Sequence, residues 1–409
     1  MLQAAYWSAT SAEEAEQAPG IIPDPDTADT EVQHVTAADD HIAQFTISYL
    51  EPGNTYAYDL IINRETVARP DPLRFQTQQL WEWRTDPPTL SRGHRLVRLH
   101  QRSEIRPPRI PTAATTASLE QIAARNPDFM LWMGDNVYYR EVDWAAPTMM
   151  AYRYAHTRAT PEMQALLGHT HNYATWDDHD YGPNNADRSH HQEGAALDIF
   201  KRYWANPTYG LPDVPGGVPA DSPWADIDFF VLDDRYHRSR TRAPRDSAKT
   251  MWGEAQLTWL IDALTSSSAP FKVVVNGGQI LNPSREAETL ARFPDDRQRL
   301  IDALIEHGHW ACCFLGASPL HGAFPPHAGR LLPAVRVHEL FAHRRVVHAR
   351  PEQPVSAERD ARAQRNFGTL TFSGPRTDRS VTLRTYDSEG EMQWERTIRA
   401  RDLRPPEEE

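Results

Sequence analysis

The densest concentration of reactive side chains in this chain is Asp177-Asp178-His179-Asp180. Its carboxylates repel one another unless a cation or an arginine compensates them. A second set, Asp135, Asn136 and Tyr138, follows another apolar run and supplies further hard oxygen donors. The two sets point to a divalent or trivalent metal, and a Tyr phenolate beside a His suits iron better than calcium. One such cluster alone reads about as well as a solvated acidic turn; two matching clusters weaken that reading. Arg235, after Asp233-Asp234, reads either as a fork for phosphate or as a structural ion pair with one of those acids. Asn276-Gly277-Gly278-Gln279 is a strand-to-loop turn whose glycines permit close backbone approach, and a plain tight turn explains it nearly as well. His169, His171, His190 and His191 are read as surface loop residues. No G-x-S-x-G elbow, Walker loop or H-E-x-x-H is present. The adjacent Cys312 and Cys313 lie in an apolar strand and read as core residues without a disulfide.

These residues sit at the ends of buried strands. Phe129–Met133 runs into Gly134-Asp135-Asn136, and Tyr173–Trp176 into the acidic cluster. Ile227–Leu232 runs into Asp233-Asp234-Arg235, and Phe271–Val275 into Asn276-Gly277. A final strand is expected at Trp310–Leu315. Helices bearing Leu257, Leu260, Ile261 and Leu264, and Leu300, Ile301, Leu304 and Ile305, precede the last two strands. Ser118 is expected to cap a helix that Asn126-Pro127 stops. Polar loops gathered at the carboxyl ends of buried strands define a ligand site at one sheet edge. Before residue 80 the pattern is β-structure. Ala43, Phe45, Ile47 and Tyr49 alternate with polar residues, as do Tyr56, Tyr58, Leu60 and Ile62, and LRFQTQ at 73–78 repeats the pattern. Short strands with Pro/Gly turns predict a small sandwich over 1–80. An α/β domain is expected over 95–400, with a terminal hairpin turning at Asp387–Gly390. The stretch 325–365 reads as long loops.

Length and charge narrow the function classes. At roughly 150 residues per domain, 409 residues suggest about two or three domains. A composition 40% hydrophobic and 24% charged excludes wholesale disorder. The net charge of −13 argues against a nonspecific nucleic-acid binder, but leaves room for an anionic substrate, because a few arginines or a bound metal reverse the local field. No apolar run approaches the ~18 residues a membrane span needs. The N-terminus has neither the basic nor the apolar region of a signal peptide.

With these motifs the chain resembles the alkaline phosphatase D (PhoD-like) family of the metallophosphatase superfamily. The resemblance is carried by MLWMGDNVYYRE (130–141), YATWDDHDYGPNNADRS (173–189), FFVLDDRYHR, GGQILNP and NFGTLTFSGPRTDRSVTLRTYDSEG, and it extends over almost the whole length. It implies an immunoglobulin/fibronectin-like β-sandwich followed by a layered αββα metallophosphatase-like domain. It also implies hydrolysis of phosphate mono- or diesters at an iron and calcium site, a small phosphate-ester substrate, and a periplasmic or secreted location. Carried over by position, Asp135, Tyr138, Asp178 and Asn184 fall on metal-ligand positions, to which the clusters add Asn136 and Asp177. His179 and Asp180 belong to the same motif and, with Arg235 and His321, form the candidate catalytic set. Two departures set a second reading beside the first. The family's G-S-C is replaced by Leu99-His100-Gln101-Arg102, and its G-D-x-H-H by Ala317-Ser318-Pro319-Leu320-His321, of which His321 alone remains. The alternative is a catalytically inactive PhoD-like binding or structural module.

Overall fold

The structure, a computed structural model, describes residues 2–9, 28–88, 113–214, 216–218, 220–243, 249–282, 288–306, 312–316, 338–341 and 366–403. His321, Leu99–Arg102 and Ala317–Leu320 lie outside these residues.

In the N-terminal region β1 (Leu2–Ala9), β2 (Ala28–Asp29), β3 (Thr55–Ile62), β4 (Glu65–Thr66) and β5 (Arg74–Gln76) form one five-stranded antiparallel sheet. The second sheet of the expected sandwich is not present among the described residues. The strand expected at 43–49 makes no ladder either. Its burial alternates from Ala43 to Ser48, but Gln44 Nε2 donates to the carbonyls of Lys201 (2.9 Å) and Arg202 (3.2 Å) at the end of a helix. The segment therefore satisfies carbonyls that a helix C-terminus leaves without partners, and Tyr49 at φ 63° ends its extension. The sheet is tied to the rest of the chain by polar contacts. Tyr58 donates to the Gly168 carbonyl at 3.2 Å, Gln76 to Asp128 at 2.6 Å, and Gln78 holds both Pro223 and Ala225.

The remaining chain alternates strands and helices: α1 (Ala113–Ala123), β6 (Phe129–Met133), α2 (Pro147–Arg158), α3 (Pro161–His169), β7 (His171–Thr175), α4 (Asp178–Tyr181) and α5 (Glu193–Tyr203). There follow β8 (Ala220–Trp224), β9 (Ile227–Val231), α6 (Glu254–Ser266), β10 (Phe271–Asn276), α7 (Pro294–Glu306), β11 (Cys312–Gly316) and β12 (His338–Phe341). Last come β13 (Asn366–Ser373), β14 (Ser380–Asp387) and β15 (Met392–Arg399), an antiparallel meander containing the expected hairpin. One sheet has the order β12-β11-β10-β9-β8, parallel except for β8 at its edge, and β6 pairs with β7 in parallel.

Side-chain alternation sorts these strands into layers. Phe129, Leu131 and Met133 of β6 face Phe229 and Val231 of β9, Val273 and Val275 of β10, and Leu370 and Phe372 of β13 in a core between sheets. The intervening Met130 and Trp132 join α1, α2, α3 and α5 in a second core. Phe230, Val274, Cys312 and Phe314 join α6 and α7 in a third. Strands buried on both faces read as continuous apolar runs, which is why they were legible without alternation. Cys312 and Cys313 are free and buried, one on each face of β11.

Three local expectations are corrected. Ser118 lies inside α1 and is buried; the preceding Ala-Ala-Thr-Thr-Ala continues the helix upstream of it. The 325–365 stretch contains β12, which pairs in parallel with β11. His169 ends α3 and His171 opens β7, while His190 is buried against Tyr181 and Gly182, so none of the three is a surface loop residue. Among the described residues no helix is long and apolar enough to cross a membrane.

Candidate metal centre

The parallel register Met133↔Thr175 brings the ends of β6 and β7 side by side, so Asp135 and Asp177 leave the sheet at the same level. Gly134 (φ 91°) and Asp135 (φ 53°) turn the chain sharply at the end of β6, in a region that Gly adopts freely and Asp tolerates. The turn is tight enough that a Cβ on Gly134 would meet Asp177 Cβ at 2.5 Å. Thr175 Oγ1, at the end of β7, donates to the Leu232 carbonyl at 2.8 Å just past β9 and so joins the two strand ends. Gly277, after β10, passes so close that a Cβ there would lie 2.7 Å from the Trp176 carbonyl. Four strand ends thus converge on one small volume.

Within it, Asp135, Asp178 and His179 each present a ligand atom within 4.8 Å of the others. Asp178 Oδ1 and His179 Nε2 are 4.0 Å apart, too long for a hydrogen bond. Two ligands that each reach about 2.1 Å to one ion stand roughly 3.0–3.4 Å apart at octahedral or tetrahedral angles, so this pair would draw in by somewhat over 0.5 Å around a cation. Tyr138 donates its hydroxyl to Asp135 Oδ2 at 3.0 Å, and its ring packs on His179 with centroids 4.4 Å apart. The other oxygen of Asp178, Oδ2, accepts the Asn185 backbone N–H at 2.6 Å, which fixes the carboxylate. This mixed oxygen and imidazole donor set, two buried carboxylates and a half-buried imidazole, fits a hard or borderline cation.

Asp180 and Asn136 brace this group. Asp180 accepts the Asp177 N–H at 2.6 Å, the Asn136 N–H at 3.1 Å and the Asn136 side-chain amide at 2.7 Å. The same amide also donates to the Thr175 carbonyl at 2.8 Å, which pins the β6 turn to β7. Burial, then the charge of Asp135, push the Asp180 carboxyl well above the ordinary carboxylate range, against the N–H donors. Asn184 is exposed, and the contact to Asp178 comes from its neighbour Asn185.

Arg235 is fully buried. Its Nε donates to Asp177 Oδ1 at 2.7 Å and Nη2 also bonds that oxygen; Nη2 further reaches Glu288 Oε2 at 2.8 Å, and Asp234 lies 3.4 Å from Nε. The structure therefore shows a structural ion pair, as the second of the two sequence readings had it, with no face of the guanidinium open to a substrate. Burial opposes its charge, but Asp177, Glu288 and Asp234 outweigh that and hold Arg235 protonated well beyond the usual range. Arg238, also fully buried, donates to Glu288 Oε1 at 2.6 Å. Burial raises the Glu288 carboxyl, and Arg235, Arg238 and Arg292 together outweigh it, so its net position lies below the ordinary value. Asp177 stays pushed up, first by burial and then, against Arg235, by Asp234, Asp178 and Asp135. Asp233 caps the adjacent turn, accepting from the backbone of Val218, Arg235 and Tyr236 at 2.8–3.0 Å.

Of the residues singled out from sequence, the structure brings together Asp135, Asn136, Tyr138, Asp177, Asp178, His179, Asp180 and Arg235, and leaves Asn184 at the surface. Glu288 had no sequence signal. It is held at the site because Leu290 N–H bonds the Gln279 carbonyl at 2.8 Å and Thr289 bridges Gln279, which sets Glu288 beside the β10 turn.

Layered sheets flanked by helices, with acidic residues gathered at parallel-strand ends, make this a layered α/β fold with an acidic strand-end site. Among solved structures the chain is similar to PhoD, at 14% identity and a TM-score of 0.60, covering 97% of this chain and 85% of that one. It is also similar to purple acid phosphatase PPD1 from yellow lupin (Lupinus luteus) seeds, at 10% identity and a TM-score of 0.57, covering 97% of this chain and 69% of that one. No protein-family model and no curated protein sequence matches the chain.

Proposed function

We propose that the chain is a metal-dependent hydrolase of phosphate mono- or diesters. The observation that carries this reading is the Asp135–Asp178–His179 donor group at the strand ends of a metallophosphatase-type fold. Asp135, Asp178 and His179 would hold the cation, with Tyr138 beside Asp135. The choice of iron, with calcium as a further ion, rests on the resemblance and on the phenol and imidazole donors. When bound, the cation supplies charge to offset that on the phosphoryl oxygens and lowers the pKa of water.

The chain's own residues supply order. Asn185 orients Asp178, Asp180 fixes the Asn136 turn, and Arg235 holds Asp177 in place. Preorganisation of this kind matters because a misplacement of about 1 Å at a reacting centre can cost ~100-fold in rate. The reading carries with it a division into an immunoglobulin/fibronectin-like domain over 1–80 and a layered αββα domain over 95–400. It also carries a small phosphate-ester substrate and a periplasmic or secreted location.

The test is Asp178→Asn in the full chain, assayed with p-nitrophenyl phosphate and bis-p-nitrophenyl phosphate alongside metal content. We expect loss of bound metal and a fall in turnover of at least ~100-fold. Unchanged turnover refutes the assignment. The replaced motifs at Leu99–Arg102 and Ala317–His321 favour the second reading, an inactive binding module. A wild-type chain that retains metal yet hydrolyses neither ester selects it.

A further inference from the structure

The centre contains a second group of potential ligands, Asp177, Asp178 and Glu288, whose atoms also lie within 4.8 Å of one another and which shares Asp178 with the first. Such a pair of groups bridged by one carboxylate invites a second ion. The positions of the arginines argue otherwise. Arg235 Nη2 lies on Asp177 Oδ1 and on Glu288 Oε2, carboxylate oxygens of the kind a second ion would need. The guanidinium has no other place to go: it is fully buried, its Nη1 donates to the Ala186 carbonyl at 3.2 Å, and Asp234 flanks its Nε. A guanidinium keeps its charge at every working pH, so it cannot make way by losing a proton. Nor can Glu288 turn freely toward an ion, because its other oxygen is held by Arg238, itself buried over the Phe293 ring at 5.0 Å.

We infer that Arg235 is the resident cation of the Asp177–Asp178–Glu288 group, and that Glu288 is a positioning residue which locks Arg235 onto Asp177. The arrangement divides the two adjacent aspartates. Asp177 is committed to the guanidinium, and Asp178 alone is left for the metal with Asp135 and His179. Glu288 then acts on the metal through Arg235, without touching it. Removing its charge leaves two buried arginines undercompensated beside Asp178 and weakens cation binding there.

This inference rests on the metal-centre reading above, and Mn2+ binding to the full chain separates the failure of one from that of the other. Ions per chain are counted by equilibrium dialysis, and the bound ion is read by electron paramagnetic resonance. In wild-type protein we expect a Mn2+ signal that Glu288→Gln leaves unchanged in form and in number of ions per chain, while affinity falls ~10-fold, the usual effect of an outer partner. Glu288→Asp should recover part of that affinity, and it gives the same reading should Glu288→Gln fail to fold. An exchange-coupled ion pair that Glu288→Gln leaves intact puts the second ion elsewhere and supports the inference. A coupled pair that Glu288→Gln or Glu288→Asp converts to a single ion makes Glu288 a ligand and overturns it. A wild-type chain that binds no Mn2+ overturns the metal-centre reading and this inference with it.

Discussion

The tightest point of the centre is the crossing of the β6 turn over the end of β7, and Gly134→Ala probes it directly. An added Cβ would lie 2.5 Å from Asp177 Cβ, 2.7 Å from Asp177 N and 2.9 Å from the Trp176 carbonyl carbon. Ordinary contact begins at 3.4 Å, so the two turns must separate by 3.4 − 2.5 = 0.9 Å. Two of the three obstructing atoms are backbone, and Trp176 is fully buried, so the separation has to move Asp177 and Asp178 as a unit away from Asp135. At φ 91° the alanine is strained as well. The left-handed backbone costs about 1–3 kcal/mol and the overpacking about as much again, which places the loss near 3–4 kcal/mol. The same ~1 Å displacement of Asp178 relative to Asp135 should lower metal affinity and any turnover by about 100-fold. Urea denaturation followed by tryptophan fluorescence reads the first effect, and dialysis against Mn2+ the second. Gly194→Ala is the internal control. It lies in the first turn of α5 with nothing within 4 Å of the new Cβ and should leave stability unchanged or raise it by up to about 0.5 kcal/mol. A Gly134→Ala protein with wild-type stability and wild-type metal affinity would refute the claim that the two turns position the donors.

Two further perturbations test the frame around the site. Arg379 is buried and joins three segments, donating to Asp226 at 2.6 Å, the Gly374 carbonyl at 2.7 Å and the Pro88 carbonyl at 3.3 Å. Arg379→Ala strands the nearly inaccessible Asp226 charge and should cost about 3–5 kcal/mol in urea unfolding; a loss under about 1 kcal/mol would show that the junction is not held there. Burial lowers the His171 pKa below its ordinary value, against its bond to the Gln76 carbonyl at 2.7 Å, and burial lowers that of His169 as well. Below about pH 6.5 the unfolded chain therefore binds protons that the folded chain refuses, so this stability is complete above that pH and is lost as pH falls. Urea midpoints should drop from about pH 8 to about pH 5.5, less steeply in His171→Gln; an identical slope in the variant would exclude His171 as a source.

How far the sequence foretold this arrangement depends on what each residue's role requires. The strand ends were legible because a strand buried on both faces has to be an apolar run, and the polar residues that stop it are conspicuous. The segment from Ala43 to Tyr49 shows the converse. Alternation is necessary for a half-buried strand but does not create a partner, and here Gln44 finds helix carbonyls instead of a neighbouring strand. Arg235 was ambiguous because an arginine serves a phosphate or a carboxylate with the same fork, and only burial decides between them. Glu288 was invisible because its role depends on meeting Arg235, 53 residues away in sequence, a long-range pairing with no local pattern.

The division of labour between Asp177 and Asp178 follows from the same physics. Asp177 still has extended backbone at the end of β7, whereas Asp178 begins α4, so consecutive carboxylates leave the chain in different directions. One meets the buried Arg235 and the other meets His179 and Asp135. Neither could be left alone, because an unpaired buried carboxylate is too costly to keep ionised. Around them stand Asp135, Asp180, Asp234 and Glu288, with Arg235 and Arg238 ion-paired into this network. Both arginines lie on the Asp177 side, bound to Glu288. The surplus of negative charge therefore falls on the Asp135–Asp178 side, where the donor atoms of Asp135, Asp178 and His179 lie within 4.8 Å of one another and a cation supplied from solution would complete the balance.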